Sequence, residues 1–162
     1  MTTWARIGSD ALRTAVTQMR DVRWSWQPDG VEELCRTMGW TLLESYDNGA
    51  FADAGLGVPG DRLRMAFRDG QVDDLKLRIT QPIWDEGPER DSFLRDVFAD
   101  AVDDSATVLG EPTARQQDEP PTVRWRFDDS TVLITLLEST VTVTWASNRF
   151  QDDWDRVTEA LS

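Results

Sequence analysis

Two segments of the chain alternate between apolar and polar residues with a period of two. Residues 62–68 read Arg-Leu-Arg-Met-Ala-Phe-Arg, and residues 75–79 read Leu-Lys-Leu-Arg-Ile. This period is typical of β-strands that bury one face and expose the other. Asp69-Gly70 lies between the two segments and favours a tight hairpin turn, because glycine readily adopts the positive φ that such a turn needs. We therefore expect an antiparallel pair with an apolar inner face and a basic outer face.

Further periodic segments extend this sheet and add helices. Strands are predicted over 40–46, 123–127, 131–137 and 141–145, and helices over 9–20, 31–38, 89–104 and 148–161. The Gly-rich segment 50–60 is predicted to be a loop, with a short strand around Phe51 left open, and 114–121 is predicted to be polar and mobile. The order predicts one α+β domain over 1–162. Its antiparallel sheet has about six strands in two three-stranded meanders, with the helices packed on one face.

Two of the predicted helices have clear apolar stripes. In the helix over 89–104 the stripe consists of Phe93, Leu94, Val97, Phe98, Ala101 and Val102. In the last helix, which Asn148 is expected to cap, we expect Phe150, Trp154, Val157 and Leu161 to face inward. The second meander also repeats the basic and apolar alternation of the first, so an internal duplication is left open.

Charge and composition exclude several classes of function. The chain has 30 acidic and 17 basic residues, a net charge of -13, and no histidine. Histidine is the commonest general base and metal ligand, and a strongly negative field disfavours nucleic acid and anionic membranes. We find no apolar run long enough for a signal peptide or a membrane span. The single Cys35 excludes an intrachain disulfide, and together these features favour the cytoplasm.

Catalytic and cofactor motifs are not apparent. The adjacent aspartates at 73–74, 103–104, 128–129 and 152–153 are mostly at predicted turns or helix ends, where Asp favours local backbone hydrogen bonds. Cys35 is on the apolar stripe of a predicted helix, which favours burial over reactivity. We therefore expect a protein without catalytic residues, cofactor or metal site.

The charges are predicted to separate onto two surfaces. The outer sheet face would carry Arg62, Arg64, Arg68, Lys76, Arg78, Arg124 and Arg126. This face is either solvated, with its arginines paired to nearby acids, or a contact surface for self-association or an acidic peptide. The predicted acidic surface comprises the connector residues Asp85 and Glu86 and the helix residues Glu89, Asp96, Asp100 and Asp103. Asp152, Asp153 and Asp155 could extend it. It is either a solvated face or a docking face for a basic protein.

Four short motifs carry a resemblance to a family. They are Trp24-Ser25-Trp26, Gly39-Trp40, Leu109-Gly110-Glu111-Pro112-Thr113 and Val123-Arg124-Trp125-Arg126. With these motifs the chain resembles a group of uncharacterised actinobacterial proteins that look like immunity proteins encoded beside secreted polymorphic toxins. The element order is also similar to that of small α+β secretion chaperones. The resemblance implies no catalytic residue.

These observations lead to two main hypotheses. In the first, the chain is a cytoplasmic immunity protein that binds and neutralises a basic toxin domain, since complementary charge speeds association and selects the partner. In the second, it is a chaperone or adaptor for a secreted protein, using apolar grooves and a dimer. An enzyme that uses carboxylates alone is a third alternative. The sequence leaves open whether the chain forms a homodimer.

Overall fold

The computed structural model describes residues 4–59, 62–118 and 120–161. Four α-helices are seen in these residues: α1 (Ser9–Asp21), α2 (Val31–Met38), α3 (Pro88–Leu109) and α4 (Asn148–Ala160). The strands seen there are β1 (Thr41–Tyr46), β2 (Gly49–Asp53), β3 (Leu63–Arg68), β4 (Gln71–Arg78), β5 (Ala114–Gln116), β6 (Thr122–Arg126), β7 (Ser130–Leu136) and β8 (Val141–Ser147).

The described strands form one open antiparallel sheet of eight strands, in the order β1-β2-β3-β4-β8-β7-β6-β5. It consists of two four-stranded meanders joined through β4 and β8. The α+β class is therefore confirmed, but the expected count of about six strands is wrong. The additional strands are β2, within the segment interpreted as a Gly-rich loop, and β5, within the segment expected to be mobile. All three residues of β5 are exposed, so no apolar alternation marks it.

The alternation in β3 and β4 buries one face of the hairpin, as predicted. Leu63, Met65, Leu75 and Leu77 are buried, and Asp69-Gly70 forms the turn with φ angles of 53° and 73°. Because β6 alternates in the same way, its basic residues point to the sheet face opposite its buried Val and Trp side chains. The two alternating segments occupy different positions, since β3 is the third strand of its meander and β6 the second. They are therefore not equivalent by topology.

A cluster of three tryptophans ties the chain before α2 to the centre of the sheet. The ring centroids of Trp24 and Trp26 are 5.0 Å apart, and those of Trp26 and Trp145 in β8 are also 5.0 Å apart. Trp26 has a φ of 55°, which is unusual for a bulky residue. Its carbonyl accepts a hydrogen bond of 2.9 Å from the Val72 N–H in β4. This bond and the ring contacts hold the Trp-Ser-Trp segment in that conformation.

The other short motifs are also structural. Gly39 ends α2 with a φ of 76°, in the left-handed region that glycine favours. The Trp125 indole N–H donates a 2.9 Å hydrogen bond to the Gly110 carbonyl, joining the end of α3 to β6. The Arg126 N–H donates to the Thr113 hydroxyl at 2.8 Å. The motifs that carry the resemblance therefore specify the fold.

An evenly spaced row of arginines joins α1 to α3. Arg6, just before α1, bonds Asp100 at 3.0 Å, and Arg13 bonds the buried Asp104 at 2.9 Å. Arg20 donates at 2.7 Å to a backbone carbonyl in the last turn of α3. Arg13 and Arg20 are seven residues apart, so they lie on the same side of α1, and Arg6 precedes the helix by three residues. Their contacts advance in the same direction along α3, so the two helices are aligned in parallel.

The last helix lies on the other face of the sheet, so two expectations are wrong: that all helices pack on one face, and that the apolar stripe of this helix faces inward. The expected cap is wrong as well. Whereas α1, α2 and α3 contribute to the core, α4 bonds to Arg124 and Arg126, which point away from it. The helix is capped by Ser147, whose hydroxyl accepts a 3.2 Å bond from the Phe150 N–H in the first turn of α4, and not by Asn148. Most of its apolar stripe faces solvent: Trp154 is 55% exposed, Val157 54% and Leu161 82%.

Gly49 offers a test of the close approach of β2 to β3. A β carbon at this position would lie 2.5 Å from the backbone carbonyl oxygen of Met65, which has no room to move within the sheet. We predict that Gly49→Ala lowers the free energy of unfolding by about 1–3 kcal/mol, measured by urea denaturation. Without the clash, replacing a strand glycine by alanine would raise the free energy of unfolding by about 0.5–1 kcal/mol. A gain in stability would therefore contradict this strand pairing.

Candidate functional site

The predicted acidic surface lies along α3 and the connector before it. Glu89, Asp96, Asp100 and Asp103 are all exposed on the helix, and the connector carboxylates Asp85 and Glu86 are exposed as well. The buried residues of α3, such as Leu94, Val97 and Ala101, lie on its opposite side and pack into the core. The apolar stripe therefore presents these carboxylates to solvent.

The acids of α3 differ in how they are paired. Asp100 bonds Arg6, and Asp104, which was not among the predicted site residues, bonds Arg13 on α1. These two carboxylates are already neutralised within the fold. Glu89, Asp96 and Asp103 form no ion pair within the described residues. We name these three, together with Asp85 and Glu86, the acidic face.

Trp84 lies beside the acidic face and was missed from the sequence. Its side chain is 72% exposed, in the connector between β4 and α3. A large aromatic side chain exposed to this extent is uncommon in a folded domain, and tryptophan is enriched among the residues that dominate binding energy. The sequence feature that indicates its exposure is its position: this tryptophan lies outside any periodic segment, between two prolines and just before two acidic residues.

A shallow groove runs along another side of α3. It has a volume of about 350 Å³ and lies between the first turns of the helix and the end of β7. Its lining combines apolar and charged side chains: Asp91, Leu94, Arg95, Pro121, Leu136, Leu137 and Glu138. The groove widens the surface that a protein partner could contact near α3.

The basic outer face of the sheet is half covered by α4. Asp155 accepts two hydrogen bonds from Arg124, at 2.8 and 3.2 Å, and Asp152 accepts two from Arg126, at 2.7 and 3.2 Å. Partial burial would raise the pKa of Asp155, but bonds from Arg124 and Gln151 outweigh it and hold the pKa below its usual value. The bond from Arg126 likewise lowers the pKa of Asp152. These two aspartates therefore neutralise the sheet arginines and do not extend the acidic face.

The start of α4 is fixed to the β3–β4 hairpin. The buried Asp73 accepts a 3.2 Å bond from Arg149 of α4 and lies 3.4 Å from Arg68 of β3. The guanidinium of Arg68 also lies 5.9 Å from the ring centre of Phe150. The first turn of α4 is thus held from the side of β3 as well as from β6.

The uncovered half of the outer face retains basic residues. Arg64 and Lys76 are direct cross-strand partners, and neither forms an ion pair within the described part of the chain. Like charges in such positions repel. The nearby Asp74 is largely buried, and this burial raises the pKa of its carboxyl, with Lys76 and Arg64 opposing the shift. We name Arg64 and Lys76 the open basic half; Arg62, on the same face, bonds Glu44 at 3.4 Å.

Cys35 is buried as expected, but among the described residues the adjacent aspartates do not make the local backbone hydrogen bonds expected of them, and two of the pairs lie inside β4 and α3. Cys35 is buried on the apolar stripe of α2, and burial raises the pKa of its thiol. Each adjacent pair has a member that bonds an arginine: Asp73, Asp104, Asp129 and Asp152. Across the described ranges, no three His, Cys, Asp or Glu side chains are grouped so that they could hold a metal ion.

Most of the chain matches a family model. Residues 10–147 match the model of a family of unknown function, DUF6301. The chain belongs to this family. No curated protein and no solved structure matches this DUF6301 chain. The family match ends at Ser147, the residue that caps α4, so the matched region contains α1 to β8 and α4 lies outside it. None of the helices in the described residues is both long and apolar enough to cross a bilayer.

Asp74 provides a pH-dependent test of the outer face. Because burial raises the pKa of its carboxyl, ionisation is harder in the folded state than in the unfolded state, where the pKa is about 3.9. The wild type therefore loses stability relative to an uncharged variant as the pH rises from the unfolded pKa through the folded pKa. We predict that Asp74→Asn unfolds at a higher temperature than the wild type at pH 7, and that the difference shrinks towards pH 3.5. If the variant were less stable than the wild type at pH 7, the attraction of the Asp74 carboxylate to Lys76 and Arg64 would outweigh the cost of burying its charge.

Proposed function

We propose that this protein is a non-catalytic binding protein that recognises a basic protein domain through the acidic face of α3. The observation that carries the proposal is the row of exposed, unpaired carboxylates beside the exposed Trp84. The fold neutralises many other acids internally, at α1 and at the outer sheet face, but leaves Glu89, Asp96 and Asp103 without a partner among the described residues.

The two parts of this surface would contribute differently to binding. The carboxylates attract a basic partner over distance and raise the association rate, an effect that salt weakens. Trp84 can bury a large apolar area on contact, which slows dissociation. Together they favour a partner with a basic patch next to an apolar pocket.

The specific role we propose is that of a cytoplasmic immunity protein that neutralises a cognate secreted toxin domain. The resemblance of the Trp-Ser-Trp, Gly-Trp, Leu-Gly-x-Pro-Thr and Arg-Trp motifs supports this role. So does the strongly negative net charge, because an acidic inhibitor is suited to a basic target. On this proposal neither nucleic acid nor a membrane is a partner.

The test uses the product of the neighbouring gene, which on this proposal is the toxin domain. We expect co-expression of the chain to restore growth and the two proteins to co-purify. By isothermal titration calorimetry, Asp96→Asn with Asp103→Asn should weaken binding at least about tenfold at 50 mM NaCl, and by less at 300 mM, because salt screens the lost charges. Trp84→Ala should weaken binding at both salt concentrations.

A matched control variant removes two negative charges at another part of the surface. Asp29→Asn with Asp47→Asn changes two exposed aspartates outside α3, in the turn before α2 and in the β1–β2 turn. Affinity should stay within about twofold of the wild type, since only general charge is altered. Equal losses in both double variants would reject a specific acidic face. Failure of the toxin domain to bind the wild type would reject the immunity role.

The exposed stripe of α4 favours a second candidate, a chaperone or adaptor for a secreted protein. Trp154 and Val157 could contact an apolar segment of an unfolded client. Such binding would depend weakly on salt and would require an extended or unfolded segment. In the same calorimetric experiment, binding of the unfolded but not the folded toxin domain would favour the chaperone.

A further inference from the structure

The exposed stripe of α4 has the spacing of a helix-packing seam. Phe150, Trp154, Val157 and Leu161 follow one another at intervals of four, three and four residues. This is the spacing of the apolar positions with which helices pack side by side. Phe150 and Trp154 stack with ring centroids 6.2 Å apart. The helix therefore presents an apolar seam to solvent while its polar side holds the sheet.

The orientation of α4 places this seam beside the open basic half. Asp152 and Asp155 bond arginines of β6, so the acidic side of the helix faces that strand. Phe150, on the seam, lies against Arg68 of β3. The seam thus faces the half of the sheet that α4 leaves uncovered, where Arg64 and Lys76 are located.

A carboxylate on the solvent side of α4 complements this half of the sheet. Gln151 is buried against the sheet, and Asp153 lies two residues further, about 200° around the helix. Asp153 therefore points away from its own sheet. Its contact with Arg156 is an i,i+3 pair near the surface, a type of ion pair that is weak and readily exchanged.

We propose that a second copy of this chain covers this surface. Two molecules pack with their outer sheet faces towards each other about a two-fold axis that runs along the helices, and the two α4 helices lie parallel and side by side between the sheets. Each seam contacts the other, with the two Trp154 side chains at one level and the two Val157 side chains at the next. Each Asp153 faces the open basic half of the other molecule.

A second copy fits better than an unrelated helix because the surface is self-complementary. Each molecule has both the seam and the cations, so a two-fold arrangement forms the seam contact and two identical contacts between Asp153 and the open basic half. Each Asp153 points towards the sheet of the other molecule, so the two carboxylates lie on opposite sides of the helix pair and do not face each other. A stable interface needs about 800 Å² from each partner. One helical stripe falls short of this area, and the open sheet half supplies more.

The oligomeric state in solution tests this proposal. Two chains of charge -13 repel each other, so the measurement belongs at 150 mM NaCl, where the screening length is about 8 Å. By sedimentation equilibrium between 1 and 200 µM, we expect a species of twice the 18.4 kDa chain mass. Trp154→Glu and, separately, Val157→Glu should each raise the dimer dissociation constant at least about thirtyfold. Both residues are more than half exposed, so both variants should retain the wild-type circular dichroism spectrum.

Controls separate this interface from others. Trp84→Glu changes an even more exposed tryptophan on the α3 side and should leave the dimer intact. Lys76→Glu should weaken the dimer about tenfold, and adding Asp153→Lys should restore part of the loss, because the swapped charges attract again. A monomer at every concentration, or a dimer insensitive to Trp154→Glu and Lys76→Glu, would overturn the proposal. No toxin domain is present in these experiments, so their outcome is independent of the proposed immunity function.

Discussion

The period-two alternation of β3, β4 and β6 is the constraint on which the rest of the structure depends. It gives the sheet one apolar face and one face rich in arginine and lysine. The apolar face must be buried from solvent, and α1, α2, α3 and the tryptophan cluster pack against it. The basic face requires negative charge, because like charges on neighbouring strands repel. The last helix supplies it through paired aspartates, so one sequence pattern explains the positions of helices on both sides of the sheet.

This arrangement changes the meaning of the net charge. Part of the acidic excess is used inside the fold: Asp100 and Asp104 join α3 to the N-terminal segment and α1, and Asp152 and Asp155 join α4 to β6. Each of these aspartates has an arginine partner. The carboxylates without an arginine partner are therefore unevenly distributed, and the acidic face of α3 is one surface where several of them lie together. The location of the unpaired carboxylates is more informative about binding than the total of -13.

Local patterns in the sequence were sufficient for most elements but not for their arrangement. The bounds of α2, the hairpin at Asp69-Gly70 and the buried stripe of α3 depend on neighbouring residues, and they were predicted correctly. Strand β5 is the exposed segment Ala-Arg-Gln paired with β6, and its side chains give no strand signal.

The acidic face was only partly predictable for the same reason. The apolar stripe of α3 correctly indicated which carboxylates are exposed, but it could not show that Asp100 has a partner 94 residues away. For α4, an apolar stripe normally faces the core. Here the polar side is the buried one, because ion pairs to Arg124 and Arg126 span 31 and 26 residues. Pairings over such distances leave no trace in local periodicity.

The two proposed surfaces lie on opposite sides of the molecule. The helix α3 packs on the apolar face of the sheet and exposes its acidic face outward, whereas α4 lies on the basic face. A dimer formed through α4 would leave both acidic faces directed away from the two-fold axis, each with its own Trp84. One dimer could then bind two basic domains without competition, and the combined negative charge would raise the association rate for each of them. The DUF6301 match ends where α4 begins, so the matched region includes the acidic face but not the seam. Partner recognition and self-association would then depend on separate parts of the chain.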